Sequence, residues 1–320
     1  MTNPLLEKIN KLKVSRNAVI LAHNYQLGEI QDAADFVGDS LELSIKASQI
    51  TNADLIVFCG VYFMAETAKI LSPTKTVIMP DINAGCPMAN MITGEDVRKL
   101  KRDNPDAKVV CYVNSTAQVK AESDICCTSA NTQKIVESIK ETGEIIFIPD
   151  KYLGMNTAKK VPDKKFIYWN GYCPTHMKIM PQDIEKAKNE HPSAVVIVHP
   201  ECRTDVVELA DHALSTGGML KFAKESSANE IIVGTEIGML HRLQKENPDK
   251  KFYPVTDKAV CPNMKLTTLE KLLWALEEVK TEITVEKDVA DRARKAIERM
   301  IENRETIAKP VEIAAFLSFS

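Results

Sequence analysis

Gly85-Cys86-Pro87-Met88, Tyr172-Cys173-Pro174-Thr175 and Val260-Cys261-Pro262-Asn263 decide the reading of this chain. Their Cys-Pro dipeptides lie 87 and 88 residues apart, and each follows a short apolar run. One module is used three times. Working outward, each third carries strand-like runs alternating with amphipathic helical stretches, the pattern of parallel α/β units. First strands are expected at 18–22, 108–113 and 194–198, third strands at 55–58, 145–148 and 230–233, and fourth strands at 76–79, 165–169 and 251–255. Polar tails follow them, including His23-Asn24-Tyr25, Asn114-Ser115 and His199-Pro200-Glu201, and Ser40, Ser129 and Thr216 stand at matching junctions. In open parallel α/β sheets ligands bind beyond the carboxyl ends of the strands, so these tails are expected to share one cleft.

The pattern predicts an α/β protein of three similar parallel units whose Cys-Pro thiolates converge on a pseudo-threefold axis. The repeats are expected over 1–88, 89–176 and 177–264, with C-terminal helices over 265–320 packing on the first repeat. Thr267 or Thr268 caps the first of these helices, and 287–302 carries apolar residues at helical spacing. With 320 residues, 44% hydrophobic and 27% charged, the chain is long enough for two or three cores. Its net charge of −3 and the lack of a basic block argue against nucleic acid as a partner. No apolar run approaches a membrane span, and the chain reads as cytoplasmic.

Eight cysteines without a signal peptide point to metal or redox chemistry before a disulfide framework. Cys59, Cys111, Cys126 and Cys127 lie in or beside strand-like runs and read as small buried hydrophobes; Cys202 has no counterpart in the other repeats and reads as structural. Cys86, Cys173 and Cys261 remain, three thiolates able to hold a soft metal centre. Close C-x-x-C pairs are missing, and cubane clusters normally take four cysteines, so three would leave one iron with an open, Lewis-acidic position. His176, three residues past Cys173, is matched by Ala89 and Met264 in the other repeats and is left outside the ligand set, as a neighbour of the ligands. Lys258 and Lys265, flanking Cys261, read as surface lysines.

Together, His23-Asn24-Tyr25-Gln26, Gly38-Asp39-Ser40, Tyr112-Val113-Asn114, Cys127-Thr128-Ser129-Ala130-Asn131, His199-Pro200-Glu201-Cys202, Ser215-Thr216-Gly217-Gly218 and the three Cys-Pro loops resemble the quinolinate synthase family. The resemblance runs from about residue 17 to 265. It implies three similar α/β/α domains with parallel sheets arranged around a pseudo-threefold axis, with a [4Fe-4S] cluster held by Cys86, Cys173 and Cys261. It also implies condensation of iminoaspartate with dihydroxyacetone phosphate to quinolinate, with loss of phosphate and two waters, on the way to NAD. Transient contact with the enzyme supplying iminoaspartate belongs to the same picture. Some family members carry a C-x-x-C-x-x-C run at the third ligand whose outer pair forms a regulatory disulfide; Val255 and Lys258 stand there instead, so that control is expected to be absent.

Within that frame Ser40, Ser129 and Thr216 are expected to bind the anionic substrates from helix N-termini, with Gly217-Gly218 letting backbone approach closely. Tyr25, Tyr112 and Glu201 are expected to move protons, His23 and His199 to orient substrate or relay protons, and Asn114 to bind a carboxylate. Two other classes stay open at this point. One is a triplicated zinc or metal-carrier protein closed by three thiolates and a histidine. The other is an electron-transfer iron-sulfur protein.

Overall fold

The apolar runs become strands because they are rich in β-branched residues and buried on both faces, as in Val196, Ile197 and Val198, all fully buried. The computed structural model describes residues 4–302; residues 303–320 of the expected C-terminal helices lie outside the described residues. A leading helix, α1 (Pro4–Ser15), precedes β1 (Ala18–His23), α2 (Gly28–Ala33), β2 (Phe36–Gly38), α3 (Ser40–Gln49), β3 (Leu55–Cys59), α4 (Tyr62–Leu71) and β4 (Thr76–Ile78). The order recurs as α5 (Gly94–Asp103), β5 (Lys108–Tyr112), α6 (Ala117–Ala121), β6 (Ile125–Cys127), α7 (Thr132–Ser138), β7 (Glu144–Ile148), α8 (Lys151–Ala158) and β8 (Lys165–Tyr168). It recurs again as α9 (Pro181–Glu190), β9 (Val195–Val198), α10 (Thr204–Leu209), β10 (His212–Ala213), α11 (Thr216–Glu225), β11 (Glu230–Gly234), α12 (Met239–Glu246) and β12 (Lys251–Pro254). Two further helices follow, α13 (Leu269–Glu278) and α14 (Lys287–Glu302).

Among the described residues the strands form three sheets of four, ordered β2-β1-β3-β4, β6-β5-β7-β8 and β10-β9-β11-β12, every named pairing parallel. Each is an α/β/α unit. The order reverses between first and third strands, which opens a crevice at their carboxyl ends. Strand alternation divides the packing. Ile20, Ala22, Leu55, Val57 and Ile78 face one cluster with Ile9 of α1 and Leu269, Leu272, Leu273 and Leu276 of α13. Leu21, Ile56, Phe58 and Val77 face the opposite side with residues of α3 and α4. α13 is capped by the Thr268 hydroxyl, which accepts from Lys271 N–H. α14 lies against α6 and β6 of the second unit and touches the first through α4. Its Arg292 donates to the Ala121 carbonyl at 3.2 Å and Arg294 to the Ile70 carbonyl at 3.0 Å.

Two devices recur in all three units. An aspartate just ahead of the second strand accepts from the backbone N–H near the start of the first: Asp35 from Ile20, Asp124 from Val109 and Asp211 from Val196, each at 2.8 Å. A backbone N–H after the third strand then holds the carbonyl two residues ahead of each Cys-Pro cysteine. These bonds are Tyr62 to Ala84 at 2.8 Å, Lys151 to Gly171 at 2.9 Å and Ile237 to Ala259 at 3.1 Å. No helix among the described residues is long and apolar enough to cross a membrane.

Because each aspartate satisfies a part-buried N–H, Asp35→Ala, Asp124→Ala and Asp211→Ala should each lower stability by about 1–3 kcal/mol. Urea unfolding of the three variants checks this; a cost confined to one of them would mean that the brace is not equivalent in the three units.

Candidate active site

Each Cys-Pro dipeptide opens a tight turn. Proline suits the first turn position because no N–H is needed there and its φ is preset. The thiols of Cys86, Cys173 and Cys261 face the backbone N–H groups three residues on, those of Ala89, His176 and Met264. Burial pushes the thiols up, Cys86 to about 12, so they keep their protons until a metal displaces them. All three open onto a cavity of about 300 Å³ that also takes in His23, Tyr25, Ser40, Tyr112, Asn114, Ser129, His199, Glu201 and Thr216. Every side chain expected from the sequence to be catalytic, substrate-binding or metal-ligating therefore lines one space built by three units, while Gly217 and Gly218 do not line it. Cys59, Cys111, Cys126, Cys127 and Cys202 are fully buried, and none of the eight cysteines is in a disulfide.

Glu201 is the polar hub. Its Oε2 lies 2.7 Å from His176 Nδ1 and 3.6 Å from His199 Nδ1, its Oε1 accepts from Asn114 Nδ2 at 3.3 Å, and Tyr112 also bonds to it. Burial opposes its charge, but the neighbouring imidazoles and these hydrogen bonds hold the carboxyl below the usual range, so it is an anion at neutral pH. Tyr25 and Tyr112 are pushed well above the ordinary phenol value, by burial and then by the Glu201 charge, and stay protonated. A chain of hydrogen bonds runs from Tyr25 OH to Thr235 Oγ1 at 2.6 Å, from Thr235 to His176 Nε2 at 2.9 Å, and from His176 Nδ1 to Glu201. Thr235 and His176 were not chosen from sequence as site residues. Their signals were a hydroxyl at a third-strand tail and a Cys-Pro-x-His spacing. His176 Nδ1 is also 3.1 Å from Cys173 Sγ, and the donor atoms of Cys173, His176 and Glu201 lie within 4.8 Å of one another.

His23 and His199 repeat one geometry. His23 Nδ1 accepts from Tyr25 N–H at 3.1 Å and His199 Nδ1 from Glu201 N–H at 3.3 Å. In the neutral ring the proton is therefore on Nε2, and His199 Nε2 donates to Ser129 Oγ at 3.1 Å. Burial lowers both rings to about 3, with Glu201 opposing that shift.

Ser40 and Thr216 are the first residues of α3 and α11, capped by Asp39 and Ser215. Ser129 stands apart from this pattern, ahead of α7, whose cap is Asn131. The missing Gly217 side chain makes room for a protein carboxylate: a Cβ there would lie 2.9 Å from Asp39 Oδ2. Lys265 is not a surface lysine, since its Nζ lies 2.9 Å from the buried Glu236 Oε1 and 2.6 Å from the Tyr25 carbonyl. Asn114 Oδ1 is buried with no hydrogen-bond partner among the described residues, so it is poised for a donor. Lys178 is the one lysine or arginine among the described residues lining the cavity.

A family profile described as Quinolinate synthetase A protein matches residues 7–302. A quinolinate synthase of Dehalococcoides mccartyi is 59% identical over 294 residues, covering 92% of this chain and 96% of that protein. Quinolinate synthases of Thermodesulfovibrio yellowstonii and Methanosarcina barkeri are each 54% identical, covering 94% and 93% of this chain and 99% and 97% of those proteins.

With both rings lowered, the unfolded chain takes up protons below pH 6.5 that His23 and His199 refuse, so their contribution to stability is lost as the pH falls from about 6.5 toward 3. Nitrogen-15 histidine spectra should show two Nε2–H neutral tautomers that do not change between about pH 7.5 and 5.5. Titration of either near the ordinary value would show that its ring is not desolvated.

Proposed function

This chain belongs to the quinolinate synthase family, and from that premise we propose that it condenses iminoaspartate with dihydroxyacetone phosphate, releasing phosphate and two waters and closing the pyridine ring of quinolinate. The observation that carries the reading is three thiols from three units opening onto one cavity that also holds Tyr25, Tyr112, Glu201 and a set of neutral donors. The donor set fits an iron-sulfur cluster: the thiols are free, and no fourth cysteine lines the cavity among the described residues. Cys86, Cys173 and Cys261 would hold a [4Fe-4S] cluster with one iron free of protein ligands, and that iron would supply Lewis-acid polarisation of a substrate hydroxyl or carboxylate.

The chain's own residues do the rest. Ser40, Ser129 and Thr216, with His23 donating from Nε2, bind substrate oxygens, and His199 Nε2, donating to Ser129 Oγ, turns the Ser129 hydroxyl proton toward them. The free Asn114 Oδ1 takes a substrate N–H or O–H, in place of the carboxylate contact expected from sequence, because an ionised carboxylate has no hydrogen to give it. Glu201 accepts a proton, and the neutral phenols of Tyr25 and Tyr112 give protons to leaving oxygens. The Thr235–His176 bridge lets Tyr25 be reprotonated from the Glu201 side. A second reading, a single metal ion on Cys173, His176 and Glu201, is favoured by the closeness of their donor atoms alone.

Anaerobically purified protein should contain about four irons per chain and form quinolinate from oxaloacetate, ammonia and dihydroxyacetone phosphate. Cys86→Ala, Cys173→Ala and Cys261→Ala should each lose both. Tyr25→Phe and Glu201→Gln should keep the iron and lose about 10²-fold or more in kcat. One zinc per chain without product would favour the single-ion reading, and full turnover in both Tyr25→Phe and Glu201→Gln would refute the proton-transfer roles.

A further inference from the structure

The loop bearing Cys261 and the loop bearing Tyr25 belong to different units, yet one ion pair holds both. Glu236, 1% exposed, accepts from Cys261 N–H at 3.1 Å through Oε1 and from Gly238 N–H at 2.7 Å through Oε2. Lys265 Nζ lies 2.9 Å from Glu236 Oε1 and 3.1 Å from Oε2, and it donates to the Tyr25 carbonyl at 2.6 Å. We infer that Glu236 and Lys265 are positioning residues: their ion pair clasps the third thiol's loop to the first unit's tyrosine loop and fixes one relative to the other. The inference rests on the proposed roles of Cys261 and Tyr25.

Four observations support the clasp. Lys265 donates to Glu236 Oε2 and to the Tyr25 carbonyl and lies against Glu236 Oε1 as well, so its charge is already engaged by a protein carboxylate. Gly238 has an ordinary helical backbone, φ −58 and ψ −22, that any residue adopts. A Cβ there would nonetheless stand 2.8 Å from Glu236 Oε2, from Lys265 Nζ and from the Tyr25 carbonyl, so this glycine provides the room in which the three groups meet. Gln31 adds a second tie at the same place, its Nε2 donating to the carbonyls of Asn24 at 3.1 Å, Gln26 at 2.9 Å and Gly238 at 2.9 Å. The residue just ahead of the N–H that tethers each Cys-Pro loop is Val61, Asp150 and Glu236 in turn. Asp150 caps its own helix through Leu153 N–H and Val61 carries no charge, so the third unit alone, among the described residues, builds the clasp.

The test uses iron-loaded, anaerobic enzyme and two readouts: the rate of iron release to a colorimetric chelator, and kcat and KM for quinolinate formation. Glu236→Gln and Lys265→Met should release iron about tenfold faster. Both should lose about tenfold or more in kcat with KM within about threefold, because a displaced reacting group costs rate before binding. Lys265→Arg should recover most of both, and Lys258→Met, on the other side of Cys261, should match wild type. The double variant Glu236→Gln/Lys265→Met leaves no lone charge, so its melting temperature should return toward wild type while kcat stays low. Recovery of kcat with the melting temperature would make the pair merely structural and overturn the assignment, as would wild-type iron release and kcat in both single variants. Should Glu236→Gln not fold, Gly238→Ala decides, since it keeps both charges and only spreads the clasp: wild-type values there overturn the inference. Wild-type enzyme that holds no iron or makes no quinolinate would instead refute the underlying function.

Discussion

A loop that must present a sulfur to a shared cavity has two soft dihedrals per residue and no strand ladder to hold it, so its placement depends on bonds made beyond the sheet. Here that bond is the main-chain N–H after each third strand, which fixes the carbonyl two residues ahead of Cys86, Cys173 and Cys261. The sheet's carboxyl edge and the cysteine loop then move as one body. The aspartate brace at the opposite end of each first strand keeps that strand in register with the second. Proline after each cysteine finishes the job by starting a turn whose amides face the thiol.

The cavity handles charge sparingly. Its lining holds the acids Asp39, Glu201 and Glu236 against one lysine, and each acid is occupied. Asp39 caps α3, Glu236 is engaged by Lys265, and Glu201 is ringed by His176, Asn114 and Tyr112. Donors for anionic ligands are therefore hydroxyls and neutral imidazoles, which recognise oxygen atoms without the cost of burying further unpaired cations.

The repeat made much of this legible. Cys86, Cys173 and Cys261 announce themselves by spacing, and the apolar runs give the first, third and fourth strands to within a residue, while the short second strands β2, β6 and β10 carry too few apolar residues to be given ranges. His23 and His199 stand at matching strand tails and prove to share one hydrogen-bond geometry. What stayed hidden were groups whose partners come from another unit. Thr235, Glu236 and Lys265 look like ordinary tail and surface residues until the first unit's Tyr25 is set beside them. Gly217 suggested a ligand's approach, yet the carboxylate that fills the space is Asp39 of the first unit. Periodicity reports what each unit does for itself; contacts between units leave no period.

The packing of α13 bears on how the chain comes to be folded as it is made. One face of the first sheet is closed by Leu269, Leu272, Leu273 and Leu276, together with Ile9 from the opposite end of the chain. During synthesis from the N-terminus, domains generally fold as units in order of emergence. The first unit here covers that face only in part with its own α1 and α2, and the part that α13 covers stays open until the second and third units have been made. It is begun before the other two units and completed after them, and in that interval its open patch is a natural client surface for chaperones.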